Sequence, residues 1–418
     1  MKKRIIALLM IAVLLLSMVG CGENSGGEKG NGRKTANNGT GKTQELTGGT
    51  ASETPDVTMP SDSFNKGYAN FALKLLAACY QNDNILISPY SVYAALCLVE
   101  GGASGDTLKE METLLGCSRE DSANAIAYLM RYGEAKSVVR TANSIWVNSN
   151  VKMTVEQNFL KKAGNYFRAS VFSAPFSDQY TLSDINDWVK ENTKGRIPKI
   201  LDQLTDEQIM VLINAMTFDG TWKDPFEEEF NEKDADFYCK DGSTKKVELM
   251  KGGAERYFED NKMTGFDRKY ENGYTFRAIL PKDGVSLEEI VNSFNFFSVP
   301  YKQASSISVA MPKFDDESTV QMEDILAQLG MGLAFSDYAN FSEITKDINL
   351  KVNSVIHKTY ISVDETGTKA AAATAITMDV ACALEEPLQH YEVRLDHPFV
   401  YMIMDDANNV PLFVGIYQ

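Results

Sequence analysis

The chain has 418 residues, 44% of them hydrophobic and 23% charged, enough to bury one large core or two ordinary ones. Its formal net charge of −16 repels phosphate backbones and anionic headgroups, which excludes nucleic acid as an expected partner. Six cysteines and three histidines occur without ligand-like spacing, so neither a metal nor a cofactor is expected.

At the N-terminus Lys2, Lys3 and Arg4 precede the apolar run Ile5 to Leu16, and Met18, Val19 and Gly20 lead into Cys21. The run is too short to span a bilayer comfortably, so residues 1–20 read as a signal peptide. The junction resembles the lipobox of bacterial lipoproteins, with Met18 where leucine is more usual. That resemblance implies lipidation of Cys21, cleavage before it, and an outward-facing anchor in the cell-envelope membrane, either extracellular or periplasmic. An ordinary secretory peptide cut near Gly20 and an uncleaved span are the alternatives. Residues 21–62 are rich in Gly, Ser, Thr and Asn and nearly free of bulky apolar side chains, which predicts a flexible tether. The folded domain is then 63–418.

Phe64, Tyr68, Phe71, Ala72 and Leu75 recur at helical spacing, Tyr90 to Val99 forms a second helix, and Asp184 to Lys190 opens a third. Cys79 and Cys97 fall in these patterns and read as buried free thiols. Strands are expected at Val211 to Met216, Tyr274 to Leu280, Ile307 to Met311, Ile361 to Val363 and Phe399 to Met404. Helices early and strands late predict an α+β domain without βαβ alternation. From Thr366 to Val380 the chain alternates. Thr368, Ala370, Ala372, Thr374, Ile376, Met378 and Val380 carry no charge, whereas the other set holds Lys369 and Asp379. A period of two suggests a half-buried strand, and an Ala-rich helix is the competing reading.

Several blocks, in order, resemble the serpin family across nearly all of 64–418. They are Asn84 to Val92, Ile185 to Val189, Asn192 to Ile197, Ile213 to Ala215, Phe218 to Trp222 and Met311 to Phe314. Leu329 to Met331, Val355 to Lys358, Asp364 to Thr368, His397 to Phe399 and Pro411 to Gly415 complete the series. The resemblance implies helices packed on three β-sheets, with an exposed reactive-centre loop at about 365–390 able to insert into the large sheet. It implies a hinge of Glu365, Gly367 and Thr368 followed by the small run Ala370, Ala371, Ala372 and Ala373. Ser88, Ser91, Asn214 and His357 become a polar cluster where the sheet opens. Trp222 and Lys313 lie where the hinge first enters, with Lys313 a partner for Glu365.

The implied function is suicide-substrate inhibition of serine proteases, with cysteine proteases as a second class, by a monomer that is not itself an enzyme. Counting from Gly367 places the scissile bond between Ala381 and Cys382, with Met378, Val380, Ala383 and Leu384 as alternatives. None of these is basic, which points to elastase-like or subtilisin-like targets; a papain-like target stays open. Two other classes compete with this one. A hydrolase using Ser88 or Ser91 with His357 lacks a G-x-S-x-G elbow. A non-inhibitory serpin acting as a surface binding protein is disfavoured by the small-residue hinge.

Overall fold

Helix α1 (Asp62–Cys79) begins where Ser61 accepts the Phe64 amide hydrogen, and it buries Phe64, Tyr68, Phe71, Ala72 and Leu75. Helix α2 (Pro89–Glu100) is buried on every side, capped by Ser88 and opened by proline at its first position. Four more long helices follow: α3 (Gly105–Leu115), α4 (Arg119–Lys136), α5 (Gln157–Phe167) and α6 (Gln179–Asn192). The short α7 (Leu287–Ser293) and α8 (Glu323–Leu326) complete the α-helices of the described residues. Helices α1 and α3 approach closely at Gly67, where a Cβ would lie 2.7 Å from the Gly116 carbonyl oxygen. The computed structural model describes residues 43–48, 54–293, 295, 297–368 and 389–418, all within the compact unit Asn38–Gln418.

The strands form three sheets, as the sequence led us to expect. The first has six strands in the order β1 (Gln44–Glu45), β4 (Ser170–Ala174), β3 (Val139–Asn148), β5 (Met210–Phe218), β14 (Ser354–Val363) and β13 (Phe314–Gln321). The second runs β11 (Tyr301–Lys302), β8 (Arg256–Glu259), β9 (Met263–Lys269), β10 (Tyr274–Pro281), β16 (Phe399–Asp405), β17 (Val410–Tyr417) and β2 (Ile85–Ile87). The third runs β15 (His390–Arg394), β12 (Ser306–Pro312), β7 (Thr244–Gly253) and β6 (Glu232–Tyr238).

Strand β5 is covered on both faces, which is why it reads as the nearly continuous apolar run MVLINAMTF. Met210, Leu212, Met216 and Phe218 join the main core, with α1, α2 and the second sheet. Val211, Ile213 and Ala215 face the opposite way, against Ile185 and Val189 of α6 and against Ile197, Ile200 and Leu201 after it. Strands β5 and β14 pair directly and in parallel, from Val211 with Ser354 to Thr217 with Tyr360.

Two expectations are corrected. The tether does not run freely to residue 62. Gln44 and Glu45 pair with Ser173 and Phe172, and the Leu46 amide donates to the Val171 carbonyl at 2.7 Å. Thr43 donates to Asp184 of α6 at 2.5 Å, and Thr58 accepts from and donates to Asn124 of α4. An open sheet edge offers unpaired main-chain groups, so polar residues can dock there without any apolar pattern. Second, strands are not confined to the later part of the chain, because β3 and β4 supply two of the first sheet's six strands from between helices.

Candidate functional site

Below the middle of the first sheet, β3, β5 and β14 bring Asn143, Asn214 and His357 side by side in register. The start of α2 supplies Ser88 and Ser91 from underneath. All of Ser88, Ser91, Asn214 and His357 are fully buried, and Asn143 nearly so. His357 Nε2 accepts the Ser88 amide hydrogen at 3.0 Å, so the proton of the neutral ring sits on Nδ1 and points at Asn214 Oδ1, 2.5 Å away. Asn214 Nδ2 then donates to Ser91 Oγ at 2.6 Å, to the Ser91 carbonyl at 2.9 Å and to Asn143 Oδ1 at 2.6 Å. Ser88 Oγ accepts from the Ser91 amide and caps the helix. Burial pushes the His357 imidazole down to about 3, so it stays neutral. The chain of contacts links both strands that flank the sheet's midline to the core below.

At the head of the same sheet the chain leaves β14 and turns at Asp364 to Gly367. Trp222 is fully buried and stacks on Tyr270, with ring centres 4.2 Å apart and planes at 10°. Its indole donates to the Asp364 carbonyl at 2.9 Å, and its amide donates to the Thr366 carbonyl at 3.0 Å. The Phe226 amide donates to the Glu365 carbonyl at 2.8 Å. Glu365 meets Lys313 at 2.7 Å and Asn231 at 2.7 Å. Burial raises its pKa, but the hydrogen bonds from Lys313 and Asn231 outweigh that and hold the carboxyl below its ordinary value.

Gly367 forms an antiparallel bridge with Thr221, and Thr368 donates its amide hydrogen to the Gly220 carbonyl at 2.6 Å. The glycine has φ +144°, and a Cβ there would lie 2.1 Å from the Gly220 carbonyl oxygen and 2.7 Å from Thr221 Cα. Neighbouring backbone leaves no room for any other residue. Thr368, the residue that follows the hinge glycine, is 1% exposed, with its hydroxyl 3.0 Å from the Tyr270 phenol.

The structure therefore brings the expected residues into two groups, Ser88, Ser91, Asn214 and His357 at mid-sheet, and Trp222, Lys313, Glu365, Gly367 and Thr368 at its head. Asn143, Asn231 and Tyr270 were not foreseen; each is an ordinary polar residue in its own segment, and only folding makes it a partner. Ala370, Ala371, Ala372 and Ala373 lie outside the described residues. So do Met378, Val380, Ala381, Cys382, Ala383, Leu384 and the lipidation candidate Cys21. Cys79, Cys97 and Cys117 are buried free thiols. Among the described residues no group of three or more His, Cys, Asp or Glu is arranged to hold a metal ion, and no helix is long and apolar enough to cross a membrane.

Comparison with known proteins converges on one family. Residues 66–418 match the model described as Serpin (serine protease inhibitor). The chain is 29% identical over 379 residues to alpha-1-antiproteinase of Rattus norvegicus, covering 83% of this chain and 87% of that one. The solved native-state structure of the thermophilic serpin Tengpin is 33% identical with a TM-score of 0.80, covering 90% of this chain and 99% of that one. The latent-state structure of Tengpin gives a TM-score of 0.72 at the same identity, covering 87% and 99%.

Proposed function

The chain belongs to the serpin family, and on that premise we propose that it is an inhibitor that traps target proteases by inserting its cleaved loop as a strand between β5 and β14. Serpins are typically protease inhibitors rather than enzymes, and the family implies a protease as partner. One observation carries the finer reading: the hinge already makes the first antiparallel contact with the chain that continues β5.

Extending the Gly367–Thr221 register downward sets residue 370 opposite Phe218, 372 opposite Met216, 374 opposite Asn214, 376 opposite Leu212 and 378 opposite Met210. These partners all face the main core or the polar cluster. The intervening positions fall opposite Thr217, Ala215, Ile213 and Val211, of which the last three face α6. Lys369 would then fall opposite Asp219, which is paired with Arg196 at 2.9 Å. Such a register would turn the uncharged set inward, as a strand entering the core requires. Gaining roughly a dozen residues of new ladder, at about 0.5–1.5 kcal/mol per hydrogen bond, would release on the order of ten kcal/mol. The native form is then held kinetically rather than as the lowest state.

The scissile bond is assigned to Ala381–Cys382, within the window Met378 to Leu384. The absence of basic residues there supports elastase-like or subtilisin-like targets, with papain-like enzymes as an alternative. We also propose that Cys21 is lipidated and that the domain acts as a monomer at the outer face of a cell-envelope membrane. The test is incubation with a panel of serine and cysteine proteases followed by denaturing gels. A covalent adduct, with mass spectrometry of the released C-terminal peptide, supports trapping and fixes the bond. Cleavage without adduct by every enzyme leaves a non-inhibitory serpin that acts as a binding protein.

A further inference from the structure

The segment after β5 and the turn joining β9 to β10 are laced together. Trp222 bridges Tyr270, the Lys223 amide donates to the Lys269 carbonyl at 2.9 Å, and the Glu271 amide donates to the Thr221 carbonyl at 2.9 Å. Tyr270 is fixed in this lattice on two sides, stacked on Trp222 and edge-on to Phe218 at 5.0 Å. Its ring is thus positioned without help from its hydroxyl. The hydroxyl, 2% exposed with its residue, is spent on Thr368, the first side chain of the inward-facing set. Burial raises the phenol's pKa, so it stays protonated across ordinary pH and either hydroxyl can donate to the other.

We propose that Tyr270 is a positioning residue for loop insertion: its hydroxyl latches Thr368 at the mouth of the sheet, so that the new strand starts from a rung already formed. This rests on the inhibitory reading above. Insertion competes with hydrolysis of the acyl-enzyme, and the first rung of any ladder is the hardest, because residues are ordered before later contacts compensate. In the register set by Gly367 and Thr221, Thr368 keeps its place opposite Gly220 throughout. The latch therefore survives insertion and does not have to break for it to begin.

The test is the ratio of covalent adduct to cleaved, released inhibitor in full-length protein mixed with a protease that the wild type traps. Tyr270→Phe keeps the stacked ring and removes only the hydroxyl. It should shift the ratio toward cleaved product by up to about fivefold, the worth of roughly one net hydrogen bond when its loss lets the hinge undock before insertion. Thr368→Val should do the same, the double variant should be no worse than either single, and Thr368→Ser should restore trapping. An unchanged ratio in Tyr270→Phe, or full additivity in the double variant, overturns the latch. A general packing defect would lower thermal stability without this non-additive pattern. Should the wild type trap no protease, the inhibitory reading fails by itself, and hydrogen exchange at the Thr368 amide decides the latch. Faster exchange in Tyr270→Phe supports it, and equal exchange refutes it.

Discussion

Replacing Thr368 by arginine puts the docked hinge under direct stress. The native side chain is 1% exposed, its amide is held by Gly220 at 2.6 Å, and its hydroxyl lies 3.0 Å from a phenol. A guanidinium cannot occupy this buried space without losing its water and finding no partner, so the arginine should swing outward and undock the hinge. Insertion would then require burying that ion late, at a cost of about 3–4 kcal/mol after relaxation. With about 1.4 kcal/mol per factor of ten, insertion slows by roughly two to three powers of ten. Deacylation then wins, and denaturing gels should show a nicked inhibitor with almost no adduct. Wild-type protein nicked in the loop should also resist heat better than the intact form, and the nicked variant should gain less. If Thr368→Arg forms adduct as efficiently as wild type, the account of how the loop enters is wrong.

The His357 imidazole titrates at about 3 in the fold against 6.5 when exposed, so below pH 6.5 the unfolded chain takes up a proton that the native state refuses. Stability should therefore fall on acidification from about 6.5 to about 3, by at most about 1.4 kcal/mol per pH unit. Denaturant unfolding of wild type and His357→Gln across that window measures it, and equal slopes would count against the assignment. Lys313→Met should cost less than about 1 kcal/mol, because the lysine is 43% exposed. Glu365 titrates below its ordinary 4.5, so that contribution is present above 4.5 and should vanish as pH drops beneath it. Cys21→Ser should move the protein from the detergent phase to the aqueous phase in phase partitioning, and equal partitioning would remove the anchor. Elastase-like or subtilisin-like enzymes should form adducts faster than trypsin-like ones in a side-by-side rate assay, with the reverse order contradicting the loop reading.

The elements visible in the sequence were those whose burial imposes a pattern. Helix α1 shows its core face at helical spacing, and β5, β10 and β16 read as apolar runs because both their faces are covered. Strands β6 and β7 were missed, since much of DADFY and TKKVELMKGG faces water and the charges mask the alternation. Strand β1 offers no side-chain signal at all; Gln44 and Glu45 are held by the free edge of β4. At the site, Ser88, Asn214, His357 and Trp222 stand in recognisable blocks. Asn143 and Tyr270 do not, and their importance comes from lying opposite Asn214 and Thr368, positions 71 and 98 residues away.

The chain has three tryptophans, and their placement makes it its own optical instrument. Trp222 lies face to face with Tyr270 beside the docked hinge, whereas Trp146 stacks on Phe172 and Trp188, on α6, meets the same phenylalanine edge-on. One indole thus watches the place where a strand would start, and two watch the helix that covers its path. Single-tryptophan variants would separate these emissions in time. The order in which they change after mixing with a protease would tell whether the helix lifts before the loop descends or is pushed aside by it.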